Sequence, residues 1–374
     1  MSEWQGPFSL TESDQAELVA LLNLCFRPSG GDMLHDYPRH LSLCNRENVR
    51  FIRLDGRIVS HVATSIRPVL LGGIPTVVAG IGAVATHPDA RGLRLASVLM
   101  EDAVARSLAQ GADLMLISGD LGIYRRMNAR VCGGFPKVVI PKSSLSTSGN
   151  LHVRPVTSAD LDAVIRLRQS QVTRYLLPRE DIEALFECKM VMDKRSDWWL
   201  VWVADCPVGF GAVHHHDDEI VLLDWAGCAE ALPEAAPFWL EHYAAQHFHY
   251  AAVCRSLIPL AWSKFILPDP EPFYGTLLFI NAKRFLQRAE AYFCERIGES
   301  NWKNLHVEAE DQKVCFTLGD ESIELANGGE IADLFFGVPG RDFISEHLPH
   351  HGPLAQLLAN AFPIPLVWYG LGYV

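Results

Sequence analysis

The stretch from Val77 to Tyr124, VVAGIGAVATHPDARGLRLASVLMEDAVARSLAQGADLMLISGDLGIY, limits what this chain can fold into more than any other part of it. Val77 to Val84 is a run of small and apolar residues, the pattern of a buried strand. Pro88 breaks that strand, because proline has no N–H for the ladder. Arg91-Gly92-Leu93-Arg94-Leu95-Ala96 then leads into a helix with Leu95, Val98 and Leu99 on one face. Gly111 closes the helix, and Leu114 to Ile117 reads as a second buried strand. A strand, a basic turn of small residues and a helix N-terminus make an anion site, since unpaired backbone N–H groups and the positive end of the helix dipole converge there. A phosphate-bearing cofactor is the implication.

Length and composition bound the rest. A chain of 374 residues holds two or three domains, and 49% hydrophobic with 20% charged residues is a globular composition. The net charge of −12 argues against a nucleic-acid partner and favours cationic ligands. The polar, acidic N-terminus lacks the pattern of a secretory signal, and no run approaches the ~20 apolar residues of a membrane span. Nine cysteines without a C-x-x-C pair read as reduced thiols. The expectation is a cytoplasmic protein with no membrane span.

Around the central stretch the pattern is mixed α/β. Thr11 or Ser13 caps a first helix through Leu18, Leu21, Leu22 and Cys25, and Phe51 to Ile66 reads as a hairpin about Asp55-Gly56-Arg57. KSSLSTSGN, Lys142 to Asn150, is a linker. Beyond it the plan restarts: a strand from Leu151, a capped helix with Leu161, Val164 and Ile165, a hairpin from Trp198 to Val213, a strand from Ile220 to Asp224 and a helix from about Pro233 to Gln246. The lead-in to that last helix, Trp225 to Pro233, has no arginine and one glycine, so the second copy reads as degenerate. The final hundred residues predict a helix over Asn281 to Arg296, three short strands, two further helices and an apolar, aromatic tail ending at Val374. The clusters His214-His215-His216 and His347, His350, His351 fall in turns without ligand spacing, and no metal site is expected.

Arg91-x-x-x-x-Ala96 after the strand end Val84-Ala85-Thr86 resembles the pyrophosphate loop of GNAT-type N-acetyltransferases, with Arg94 in place of a glycine. Together with Gly122-Ile123-Tyr124-Arg125-Arg126, the restart and the tail, the whole chain resembles the enhanced intracellular survival (Eis) acetyltransferases. That resemblance implies a catalytic GNAT domain over residues 1–145, a degenerate GNAT-like domain over 151–272, and a sterol carrier protein-like domain with the tail over 273–374. It also implies acetyl-CoA as acyl donor, and a homo-oligomer formed through the later domains.

The resemblance assigns roles as well. Tyr124 becomes the general acid, and the C-terminal carboxylate of Val374, beside Tyr373, the base; a core tyrosine and a tail packed for stability are the plainer readings. Val84, Ala85 and Thr86 would bind the pantetheine arm, Arg91, Gly92, Leu93, Arg94, Leu95, Ala96 and Ser97 the pyrophosphate, and Gly119 and Asp120 would flank the cofactor. Asp32, His35, Asp36 and Tyr37 offer carboxylates and a ring to a small cationic amine or a lysine-bearing substrate, or form a solvated loop. Aminoglycosides, polyamines and lysines all suit such a site. The competing expectations are transfer of a longer acyl chain, and a non-catalytic ligand- or lipid-binding protein in which Arg94 impairs the CoA site.

Overall fold

A computed structural model describes residues 3–146, 151–350 and 352–373. The chain is a mixed α/β protein built on two open sheets of the same plan. The first contains β1 (Trp4–Ser9), β2 (Val49–Leu54), β3 (Arg57–Leu71), β4 (Ile74–Thr86) and β5 (Leu114–Ile117) in that spatial order. All neighbours are antiparallel except β4 and β5, which pair in parallel from Val78↔Leu114 to Ile81↔Ile117. A parallel pair needs a crossover, and α2 (Leu95–Ala109) supplies it. Leu95, Leu99, Met100 and Ala103 of α2 are buried against Ile81, Met115 and Ile117. Each such leucine contributes roughly 1.5–3 kcal/mol by leaving water. On the other face α1 (Gln15–Phe26) buries Leu18, Leu21 and Leu22 against Phe51 and Ile58.

The second sheet repeats the order with β6 (Lys137–Pro141), β7 (Leu151–Pro155), β8 (Asp197–Val203), β9 (Cys206–His216), β10 (Glu219–Gly227) and β11 (His247–Ala251), arranged β6-β11-β10-β9-β8-β7. Again one pair is parallel, β10 with β11, and the helix α4 (Leu232–His242) makes the crossover. The sixth strands are exchanged. The segment after the first copy, β6, pairs with β11 of the second, while Thr276–Phe279, which follows the second copy, pairs antiparallel with β5 of the first. The two sheets are therefore interlocked by chain connectivity as well as by packing.

The last region contributes a three-stranded antiparallel sheet (His306–Ala309, Val314–Leu318, Glu321–Leu325) and helices around it. The helix expected over Asn281 to Arg296 is two helices, Ala282–Arg288 and Glu290–Ile297, meeting at Ala289. The first carries Arg284 and Arg288, whose guanidiniums hold the fully buried Asp113 of the first copy at 2.7 and 2.6 Å. A buried carboxylate is tolerated only with such partners, and it fixes this region against the α2–β5 corner. The tail from Phe362 to Gly372 is almost wholly buried among the three regions. Among the described residues no helix is long and apolar enough to cross a membrane.

Candidate functional site

Beyond Ile81↔Ile117 the parallel strands part. On β4 a bulge lies between the pairs His61↔Ala85 and Ala63↔Gly82, with Ala83 at φ +52°. A bulge leaves backbone groups out of the ladder and turns the next residues in a new direction. Here it turns the stretch Val84 to Thr86, with Ala85 and Thr86 paired again to His61 and Ser60, so that it lines a groove of about 500 Å³. The bulge rests on His61, whose Nδ1–H donates to the Ala83 carbonyl at 2.8 Å. Complete burial holds this imidazole neutral, pushing it down to about 4.

The far end of the groove is the turn into α2. Gly92 and Arg94 both adopt positive φ, +84° and +60°. Arg94 thus takes the left-handed conformation that a glycine would take at no cost, and sits as the N-cap of α2 without a side-chain cap bond. The N–H groups of residues 92–96 donate to no protein acceptor among the described residues. Arg91, Arg94 and Arg126 line the same groove and form no ion pair among those residues. Unpaired amides, a helix N-terminus and three unpaired guanidiniums fit a phosphorylated ligand such as the pyrophosphate of coenzyme A.

Of the sequence-predicted residues, Val84, Ala85, Thr86, Arg91, Gly92, Arg94, Leu95, Ala96 and Ser97 meet in this groove. Leu93 points outward, 51% exposed, and Asp120 is turned away by its bidentate ion pair with Arg125. Gly119 lies beyond the groove, at φ +126°, with its missing side chain facing the ring of Tyr124 at 3.6 Å. Cys25, Phe26, Ala90, Leu121, Ile123 and Arg126 complete the lining. Of these, Ile123 and Arg126, inside the motif Gly122 to Arg126, carried a local signal.

Tyr124 sits on α3 (Gly122–Arg126), 2% exposed. Burial pushes its hydroxyl up to about 12, so it stays a proton donor throughout the neutral range. The tail arrives at the end of β5. The Tyr373 side chain lies near Ser118, the residue after β5 and before Gly119, and its ring lies 6.3 Å from that of Tyr37. Val374 lies outside the described residues.

The acceptor-side expectations divide. Asp32 accepts from the Leu34 N–H as a helix cap, and His35 is exposed. Asp36 is buried and paired with Arg27 at 2.9 Å. The Tyr37 hydroxyl donates to Asp193 at 2.8 Å, and Arg27 pairs with the same Asp193 at 2.6 Å. Asp36 and Tyr37 therefore line a small pocket with Tyr373, whereas Asp32 and His35 do not. Asp193 comes from 156 residues away, and no local pattern marks it. Tyr373 also lines a cavity of about 360 Å³ with Glu219, His249, Tyr274, Lys194 and the ion pair of Lys137 with Glu271. Among the described residues no group of His, Cys, Asp or Glu could hold a metal ion.

Residues 8–132 match the family description "Acetyltransferase (GNAT) domain". No curated protein matches the chain. Among solved structures, a GCN5-related N-acetyltransferase from Anabaena variabilis is 17% identical over 97% of each chain, with a TM-score of 0.67. One from Kribbella flavida is 15% identical over 98% of each, at 0.66. Eis1 from Mycobacterium abscessus is 10% identical, covering 98% of this chain and 97% of its own, at 0.60. At these identities the likeness is one of fold, and it extends over nearly the whole length. The chain is an acyltransferase whose N-terminal region is a GNAT acetyltransferase domain.

Proposed function

We propose that the protein transfers an acetyl group from acetyl-CoA to a primary amine by direct attack. The observation that supports this reading is that the groove, lined in part by Leu121 and Ile123, the buried Tyr124 next to them in the chain, and Tyr373 near Ser118 all lie about the end of β5, where it parts from β4. Acetyl-CoA supplies the acyl group as a thioester. The arginines 91, 94 and 126 and the free amides of the turn hold its phosphates, and the Val84 to Thr86 backbone holds the arm. Tyr124 donates toward the departing sulfur. With its hydroxyl near 12 against a thiol near ~8.5, the hydrogen bond contributes more than full proton transfer. The carboxylate of Val374 takes the proton of the attacking amine, which becomes acidic as its C–N bond forms. The placement of the preceding residue, Tyr373, near Ser118 and Tyr37 supports that assignment.

An acceptor with a cationic amine, an aminoglycoside, polyamine or lysine side chain, would approach Tyr373 from the small pocket bearing Asp36 or from the cavity bearing Glu219. The region after residue 273 is read as sterol carrier protein-like, and the domain limits as those drawn from the sequence, with exchanged sixth strands. Release of free CoA thiol, followed with acetyl-CoA and a panel of these three amine classes, tests the reading. Thiol release above the hydrolysis rate with one class is expected. No release with any, together with no calorimetric binding of acetyl-CoA, would overturn it.

A further inference from the structure

The second copy also has a cleft where its parallel strands part, beyond Leu222↔Tyr250, and it is not filled by side chains. It encloses about 360 Å³, within the range of small-molecule sites. Its walls are Leu222, Trp225 and Tyr250 from the second copy and Val367 and Trp368 from the tail. Its polar end holds two guanidiniums and one carboxylate. Arg168 is paired with Asp224 at 2.6 Å, with both side chains about nine-tenths buried. Arg174 forms no ion pair among the described residues and donates only to the Gln171 carbonyl. Burial and the neighbouring Arg168 push the Arg174 guanidinium below its ordinary value, the condition that a bound anion relieves. Trp225 is more than nine-tenths buried, and its indole N–H has no acceptor.

We propose that this cleft binds a small carboxylate with an apolar body, its charge on Arg174 and its body between Trp225, Tyr250 and the tail, and that binding holds the tail in its docked position. One uncompensated guanidinium calls for one negative charge; a dianion would set its second charge beside Asp224. The tail is coupled because it forms part of the site. Val367 and Trp368 are walls, the Trp368 N–H donates to the Leu223 carbonyl at 2.6 Å, and the Leu371 N–H donates to Asp224 at 3.0 Å. A ligand that needs these walls binds the docked tail better than the undocked one, so by linkage it stabilises docking. The consequence for turnover rests on the acetyltransfer reading, but binding and tail docking do not.

The test uses the full chain and four probes, octanoate, phenylacetate, indole-3-acetate and octanamide, with calorimetry for binding and hydrogen exchange for the tail. At least one carboxylate is expected to bind one-to-one without displacing acetyl-CoA. Octanamide and the Arg174→Gln variant should each lose tenfold or more in affinity, and exchange of residues 366–373 should slow on binding. Arg174→Lys, which keeps the charge, should retain most of the binding and so separates charge recognition from misfolding. Failure of all three carboxylates at millimolar concentration, or equal binding by octanamide or Arg174→Gln, overturns the site. Binding with unchanged tail exchange overturns the coupling. Neither readout depends on acyl transfer, so a failed amine screen leaves this result intact.

Discussion

The two clefts of this protein occupy equivalent places in two sheets of the same strand order, yet among the described residues only the first has the unpaired amides and guanidiniums that suit a phosphate. In the first copy the lead-in to the crossover helix carries Arg91, Gly92 and Arg94, two residues at positive φ and five free amides. In the second, the Cys228 N–H is used up on the Val208 carbonyl, Pro233 lies at the start of α4, and Glu230 stands before it with its carboxylate on the Leu260 N–H. A carboxylate there satisfies the positive end of the helix and repels an anion. The floors differ too. His61 props the bulge of the first, whereas Trp225 and Trp239 pack beneath the second. Shared topology therefore set where ligands can enter, and about ten residues of turn chemistry set which charge they carry.

The largest effect should come from the group that the second copy has no use for. Tyr124→Phe is expected to lower kcat by about 10²–10⁴-fold with acetyl-CoA affinity nearly unchanged, as measured by thiol release and calorimetry. One added glycine after Val374 should act in the same direction. Next is the buried histidine. His61 is about 4 in the fold against 6.5 unfolded, so the unfolded chain binds the extra proton between those values. Its neutral form supports full stability above pH 6.5, and about 3 kcal/mol of that is lost as pH falls toward 4. Urea titrations across that window should show the slope, and His61→Gln should reduce it, leaving the part contributed by the buried His40, itself pushed down to about 3. Arg91→Ala should weaken acetyl-CoA binding at least tenfold, the usual scale for a charged hydrogen bond. Smallest of all, Glu230→Gln should leave acetyl-CoA binding at one equivalent and cost about 0.3–1 kcal/mol of stability. A second equivalent in that variant would mean that charge alone, not turn geometry, disabled the second cleft.

Much of the fold was legible because periodicity is local. The strands about Val77 to Val84 and Leu114 to Ile117, the helix between them, both hairpins and the three strands after Leu305 all appear within a few residues of where the pattern put them. The strand Trp4–Ser9 was not legible, since its residues are mostly exposed and lack alternation. Neither was the break at Ala289, where an alanine gives no helix-stop signal. In the site, the glycine-like turn could be read from Arg91 to Ala96 but the conformation of Arg94 could not, because an arginine at positive φ is uncommon without a fold to impose it. Asp120 was legible as a residue near the site and misleading as a contact, for Arg125, five residues on, captures it.

What the sequence determined by itself is the set of elements and the basic turn from Arg91 to Ala96, since both depend on residues within a helical turn or a strand of one another. Only the tertiary structure decided which strands complete which sheet, which acid neutralises Asp36's neighbour Arg27, and where the tail ends. The exchange of Lys137–Pro141 and Thr276–Phe279 between sheets leaves no trace in composition, because an edge pairing is chosen by what lies beside it. The approach of Tyr373 to Ser118 spans the length of the chain and rests on a buried tail held by Asp224 and Leu223. Long-range contacts of this kind are selected by the burial of whole faces, and that sum is available only once the chain has folded.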